Sequence, residues 1–170
     1  EIIMAAGLYQ VTLCGKSADP IKTAETRLPA NLCPLIKASY GHALEESCPY
    51  AYFSDVVVGE TTCDGKKKMY ELLGEIKPMQ VIHLPNMPDY ERSLSMWIAE
   101  MRAFQKGLEK RYDITITDEM LNEAIRWCNK ERVQMARLYE LGKYDPPAIS
   151  GSHMNDITEG EQYVFDKKEK

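Results

Sequence analysis

The sequence predicts an α/β fold: a Rossmann-like or flavodoxin-like layer domain with a parallel sheet, followed by a long helical extension. In the first half, short apolar runs alternate with helical segments, which favours a layered sheet joined by right-handed crossovers. In the second half, apolar residues recur at helical spacing over two long stretches. We therefore expect residues 1–87 to form the α/β domain, residues 88–147 a helical extension packed on it, and residues 148–170 a linker toward a second domain.

The elements of the first half follow from apolar runs and from the residues that bound them. Pro34 suits the first turn of a helix, where the missing N–H of proline costs nothing. The near-continuous apolar run over residues 52–58 is typical of a parallel strand that is covered on both faces. Together these patterns predict strands over residues 8–14, 52–58 and 80–84, and helices over residues 34–46 and 66–74.

Two long helices account for the second half. Residues 89–110 carry an apolar stripe at helical spacing. Thr117 is a suitable N-cap for the next helix, because its hydroxyl accepts a hydrogen bond from a free backbone N–H. We expect the two helices to pack on each other or to cover the sheet. The apolar stripe of the second helix consists of Leu121, Ala124, Ile125, Cys128, Met135 and Leu138.

The composition argues against several classes of protein. A net charge of −5 and a pI near 5.3 disfavour a general nucleic-acid binder. No apolar run is long enough to span a bilayer, so we expect no membrane contact, and the absence of a signal peptide predicts a cytoplasmic location. Five cysteines without a secretory signal disfavour a disulfide framework. Because the chain starts without a methionine and stops in a charged run, we interpret it as a fragment.

The segment VVVGETTCDGKKKMYE, residues 56–71, holds the most informative thiol. A β-branched run ends at Gly59, and Cys63 closes the short loop before a lysine-rich helix. In α/β sheets, loops at the carboxyl ends of strands carry the chemistry, and a helix N-terminus stabilises a thiolate. Cys63 is therefore a candidate metal ligand or nucleophile.

A second thiol has a similar setting. Cys33, in the segment NLCPLIK, also lies just before a predicted helix. Two thiols from successive loops at one sheet edge would converge on a metal such as an iron–sulfur cluster, while burial of each as a small hydrophobic side chain is the alternative. Cys48 precedes the second predicted strand and is expected at the opposite edge, Cys128 lies on an apolar stripe, and Cys14 ends a strand. No C-x-x-C pair and no nucleotide-binding motif accompanies them.

These segments carry a resemblance to a known family. The run TTCDGKKKMYE, the segment NLCPLIK and the triplet Cys48-Pro49-Tyr50 resemble the 2-hydroxyacyl-CoA dehydratase and benzoyl-CoA reductase family, and within it the double-cubane cluster proteins. The resemblance extends over essentially the whole chain. It implies two stacked α/β domains in the full protein, of which this chain would be the first, cluster-binding domain with its helical extension.

The resemblance also implies a cofactor and its ligands. The cofactor would be an iron–sulfur cluster, either a 4Fe–4S cubane or an 8Fe–9S double cubane. Family members bind cluster iron through cysteines that match Cys33 and Cys63, and Cys48 is typical of the double-cubane branch. Thr61, Thr62 and the backbone N–H groups after Cys63 are suitable hydrogen-bond donors to cluster sulfur. No side chain is identified as catalytic.

The implied activity is ATP-dependent, low-potential electron transfer, with single electrons delivered by a separate activator ATPase that has its own iron–sulfur cluster. In the double-cubane proteins, which resemble homodimers, the cluster reduces a small-molecule substrate. One alternative is a dehydratase subunit that removes water from a 2-hydroxyacyl-CoA through a ketyl radical, commonly with a different partner subunit. Another is a cluster-free scaffold fragment. A zinc hydrolase is disfavoured because the usual His and Glu spacing is missing.

Overall fold

The computed structural model describes residues 1–13 and 15–164. It combines a small parallel sheet with long helices, which confirms the predicted α/β class. In chain order the elements are α1 (Ile2–Ala5), α2 (Ile21–Ala24), α3 (Pro34–Leu44), α4 (Pro49–Phe53), β1 (Val57–Glu60), α5 (Asp64–Leu73), β2 (Met79–Ile82), α6 (Ser93–Tyr112), α7 (Asp118–Glu140), a 3-10 turn (Leu141–Lys143) and α8 (Gly151–Glu161).

The sheet of the described residues consists of β1 and β2. The strands pair in parallel, with Val57 opposite Met79 and Glu60 opposite Ile82. Helix α5 connects them, so the three elements form one β–α–β unit. The loop after Glu60 therefore leaves the carboxyl edge of the sheet, where α/β folds place their sites.

The first predicted strand is wrong for the residues that the structure describes. Residues 8–13 belong to neither of the paired strands, and Tyr9 is 67% exposed. An alternating apolar pattern becomes a strand only when a neighbouring strand accepts its backbone hydrogen bonds. Cys14, the predicted last residue of this strand, lies outside the described residues.

The second predicted strand is correct only at its end. Residues 52–58 begin inside α4 instead, because Pro49 occupies the first turn of that helix and the helix continues to Phe53. Tyr52 and Phe53, which gave the run its apolar character, are exposed. The extended backbone of β1 starts only at Val57.

The predicted helices agree better with the structure. Pro34 lies in the first turn of α3, as expected. Helix α7 begins after Thr117, whose hydroxyl oxygen accepts a hydrogen bond from the N–H of Met120 at 3.3 Å, which confirms the predicted N-cap. Residues 148–170, predicted as a linker, contain α8.

The chain divides into two compact units: Leu13–Gly107, here called the sheet unit, and Glu1–Thr12 with Leu108–Lys170, here called the helical unit. The domain boundaries proposed from the sequence stay a prediction. The core of the sheet unit lies between the sheet and helices α2, α3 and α5. Its buried residues are Ala24, Leu28, Ile36, Tyr40, Ala43, Val57, Met69, Tyr70, Leu72 and Leu73.

The helical unit is built around α7, on which α1 packs. The Arg132 guanidinium of α7 donates to the Glu1 carboxylate at 2.5 Å, and this hydrogen bond holds the pKa of Glu1 below its ordinary value. The backbone N–H of Thr12 donates to the carbonyl of Gln162, just after α8, at 3.4 Å. Among the described residues, no helix has both the length and the apolar character needed to cross a bilayer.

Candidate functional site

Cys63 caps the helix that leaves the sheet edge. Strand β1 ends at Glu60, and after Thr61 and Thr62 the chain reaches Cys63, the N-cap of α5. The Cys63 side chain is exposed, and its sulfur accepts a hydrogen bond from the backbone N–H of Lys66 at 3.4 Å. The sulfur in this position lies at the N-terminal end of the helix, where the first backbone N–H groups have no partner within the helix.

Cys33 occupies the same position on α3. It is the N-cap of that helix, its thiol is exposed, and its side chain makes no capping hydrogen bond. Pro34, the next residue, occupies the first turn of α3, where its missing N–H costs nothing. The Cys33 thiol is thus exposed at the start of a helix without a capping hydrogen bond.

The N-terminal ends of α3 and α5 lie against each other. A Cβ atom on Gly65, in the first turn of α5, would come within 2.8 Å of Leu32 and 2.9 Å of Ile36. Leu32 and Gly65 are one and two residues away from Cys33 and Cys63, respectively. The absence of a side chain at Gly65 thus allows the two helix ends that carry the exposed thiols to meet.

The other cysteines have different surroundings. Cys48 is the N-cap of α4 but is only 3% exposed, so its sulfur lies inside the sheet unit. Cys128 lies on α7 in the helical unit and is partly buried. Within the described residues, no group of three or more His, Cys, Asp or Glu side chains is arranged to hold a metal ion. Among the cysteines that the structure describes, only Cys33 and Cys63 have exposed side chains, and their role as metal ligands stays a prediction.

The two threonines before Cys63 play different parts. The buried hydroxyl of Thr61 accepts a hydrogen bond from the N–H of Leu84 at 2.9 Å, which ties this loop to the segment after β2. The exposed hydroxyl of Thr62 donates to the Glu60 carboxylate at 2.9 Å. Because Thr62 has one hydroxyl proton, a hydrogen bond to any ligand at Cys63 would require this hydroxyl to rotate.

An ion pair beside Cys63 was missed by the sequence analysis. The Lys66 ammonium lies 2.6 Å from the Glu60 carboxylate, and this contact raises the pKa of Lys66. Burial tends to raise the pKa of Glu60, but the hydrogen bonds from Lys66 and Thr62 outweigh it, so that pKa lies below its ordinary value. The signal for this pair is the carboxylate at the strand's last position followed by lysine in the next helical turn.

The lysine run is engaged in ion pairs. Besides Lys66, Lys67 pairs with Asp64 at 3.0 Å and Lys68 pairs with Glu71 at 2.9 Å, both within α5. Such exposed pairs are typical of a solvated helix face, and each is worth less than about 1 kcal/mol. The geometry therefore favours a solvated face over an anion site for this run.

Comparison with known proteins bears on the same residues. The family described as 2-hydroxyglutaryl-CoA dehydratase, D-component, matches residues 1–170. A candidate dehydratase subunit of Escherichia coli (strain K12), YjiM, is 50% identical over 168 residues, covering 99% of this chain and 44% of its own. The (R)-phenyllactyl-CoA dehydratase beta subunit of Clostridium sporogenes is 26% identical over 172 residues, with 99% and 45% covered. The lactoyl-CoA dehydratase subunit beta of Anaerotignum propionicum is 22% identical over 169 residues, with 99% and 44% covered.

These matches extend along all of this chain, while the chain spans less than half the length of each of these three relatives. The family match covers both the sheet unit with its two exposed thiols and the helical unit. The chain belongs to the family of the 2-hydroxyglutaryl-CoA dehydratase D-component.

Proposed function

We propose that this chain is the cluster-binding part of an iron–sulfur reductase of the double-cubane type, with Cys33 and Cys63 as thiolate ligands. The observation that carries the proposal is the pair of exposed thiols at the N-terminal ends of two contacting helices. Thiolates are the usual protein ligands of iron–sulfur clusters, and a helix N-terminus favours their charged form. The bound cluster would supply one-electron transfer at low potential, which side chains alone cannot supply.

The residues of this chain would bind the cluster and surround it. The N–H of Lys66, which donates to the sulfur of Cys63, would keep that thiolate oriented. Thr62 is proposed as a hydrogen-bond donor to cluster sulfur. Cys48 is proposed as a weaker candidate ligand, because its burial requires the start of α4 to move before its sulfur reaches a cluster.

The proposed partners follow from the reaction. Low-potential electrons need a donor driven by an energy source, so a separate activator ATPase with its own iron–sulfur cluster is the proposed electron donor. A homodimer would bring two cluster-binding sites into one assembly. The substrate of such a reductase would be a small molecule, whereas the family description names a dehydratase of an acyl-CoA and so supports the second candidate below.

A second candidate function is a subunit of a 2-hydroxyacyl-CoA dehydratase that removes water from its substrate. The names of the relatives support it: two of them are beta subunits of acyl-CoA dehydratases, at 26% and 22% identity. The family description names a dehydratase as well. In both candidates the two exposed thiols would have the same role, so one experiment tests their common part.

The experiment measures iron and acid-labile sulfide in the full-length protein, purified without oxygen, and in three variants. We expect Cys33→Ala and Cys63→Ala to lose most of the iron, because each removes a thiolate ligand. Cys128→Ala is the matched control, since Cys128 lies on α7 in the other unit, and it should retain iron. A wild-type protein without iron after anaerobic reconstitution would leave the cluster-free scaffold as the function. Full iron in Cys33→Ala and Cys63→Ala would contradict their assignment as ligands.

A further inference from the structure

Lys37 is an unusual residue for its place in the fold. It lies one turn into α3, after Cys33, and is 6% exposed. Among the residues that the structure describes, it is the only charged residue that is buried. Removing an ammonium from water is unfavourable unless other groups replace the lost hydration. A buried lysine therefore requires specific hydrogen-bond partners.

Two partners replace that hydration. The Lys37 ammonium donates to the Glu25 carboxylate at 2.6 Å and to the backbone carbonyl of Ala30 at 2.6 Å. Glu25 immediately follows α2, and Ala30 lies three residues before Cys33. Both contacts therefore hold the segment that leads from α2 to the ligand position.

Lys37 also contacts the ligand residue itself. Its backbone N–H donates to the carbonyl of Cys33 at 3.1 Å in the first turn of α3. This is the ordinary hydrogen bond of an α-helix, so the contribution specific to the Lys37 side chain is its pair of contacts with Glu25 and Ala30. Near the second contact, the N–H of Leu32 donates to the carbonyl of Pro29 at 3.0 Å, which makes the segment before Cys33 a compact turn.

We infer that Lys37 is a positioning residue for Cys33: its buried ammonium clamps residues 25–30 so that the Cys33 thiol is presented at a fixed place beside the start of α5. The expected effect of Lys37 on metal binding rests on the proposed function. Its effect on the position of the Cys33 thiol does not, because that effect is measurable in the metal-free protein. Partners of metal ligands typically change metal affinity by about 10- to 100-fold. Lys37 acts through the backbone and not on the Cys33 sulfur itself. We therefore expect its substitution to lower the metal affinity by about tenfold, the lower end of that range.

The test uses the full-length protein with Lys37→Met, which keeps the length of the side chain and removes the ammonium. In the metal-free protein, under native conditions, the alkylation rates of Cys33 and Cys63 by iodoacetamide are measured on their peptides by mass spectrometry. We expect the rate at Cys33 to rise while the rate at Cys63, the internal control, stays unchanged. In the reconstituted protein, we expect weaker iron retention and an altered electron paramagnetic resonance signal.

Two further variants sharpen the test. Glu25→Gln keeps an oxygen acceptor for Lys37 and should leave the Cys33 rate close to that of the wild type, whereas Glu25→Ala removes the acceptor and should raise it. Lys68→Met is the matched lysine control, since the Lys68 ion pair with Glu71 is exposed on α5. If Lys37→Met does not fold, Glu25→Ala, which leaves the lysine in place, provides the same comparison.

The outcomes separate the two proposals. An unchanged Cys33 rate in folded Lys37→Met, or an equal rise at Cys33 and Cys63, overturns the role of Lys37 as a positioning residue. A wild-type protein that binds no iron overturns the proposed function, yet a selective rise at Cys33 would still support the clamp. A selective rise together with a changed spectroscopic signal supports both.

Discussion

At the scale of the residue, the contact between Gly59 and Tyr70 determines how α5 lies against β1. A Cβ atom on Gly59 would come within 2.5 Å of Cζ in the buried Tyr70 ring. Burial raises the pKa of the Tyr70 hydroxyl, and the negative charge of Glu60 raises it further, so the ring is held neutral at the end of the strand. The same close approach fixes the start of the loop that carries Cys63.

We predict that Gly59→Ala destabilises the protein by about 1–3 kcal/mol, because the ring must move to admit a methyl group in a packed site. Urea unfolding of the full-length protein, followed by circular dichroism, measures this. Gly142→Ala is the control, since a Cβ atom there meets nothing within 4 Å. The double variant Gly59→Ala with Tyr70→Leu should recover part of the loss. Equal stability of Gly59→Ala and the wild type would show that the ring moves without cost.

At the scale of the element, the N-caps decide where the helices begin. The hydroxyl of Thr117 satisfies the N–H of Met120 at the start of α7, the longest helix among the described elements. We predict that Thr117→Ala lowers the free energy of unfolding by about 1 kcal/mol, because this N–H loses its partner. Thr117→Ser keeps the hydroxyl and should stay close to the wild type in the same urea titration. A Thr117→Ala variant as stable as Thr117→Ser would mean that water replaces the cap.

The helices were easier to predict from the sequence than the strands. Pro34 and Thr117 mark helix starts by local chemistry, which does not depend on the rest of the fold. A strand depends on its neighbour, and residues 8–13 belong to neither strand of the described sheet although their pattern fits a strand. Apolar content also misled at residues 52–58, where Pro49 started a helix whose two aromatic side chains are exposed.

At the scale of the whole molecule, the sequence indicated the main features of the candidate site but not what holds it in place. Cys33 and Cys63 were predicted at helix starts, and they cap the contacting helices α3 and α5. Lys37 could not be recognised as a buried residue, because lysine is ordinarily exposed and its partners lie in a segment without regular structure. Cys48 was expected at a sheet edge, whereas it is buried before a helix that the sequence analysis did not predict.

The state of assembly distinguishes the two proposed functions of the whole protein. The two relatives that are named as acyl-CoA dehydratase subunits share only 26% and 22% of their residues with this chain, which is too little to transfer a substrate. The family description and the names of the relatives, which are components or subunits of dehydratases, support a second subunit. The double-cubane proposal predicts instead that the full-length protein, tagged at its own locus and purified without oxygen, is a homodimer without a stoichiometric second subunit. Light scattering coupled to size-exclusion chromatography measures the mass, and gel electrophoresis detects any companion.

A 2-hydroxyacyl-CoA titrated into the same preparation provides the second half of this test. A reductase of small molecules has no need for a coenzyme A site, so we expect no saturable change in the cluster spectrum. A different subunit at equal stoichiometry, together with a saturable response to the thioester and its conversion to the dehydrated product, would establish the dehydratase instead. Both outcomes require the iron that Cys33 and Cys63 are proposed to bind, so the cysteine variants should abolish either activity.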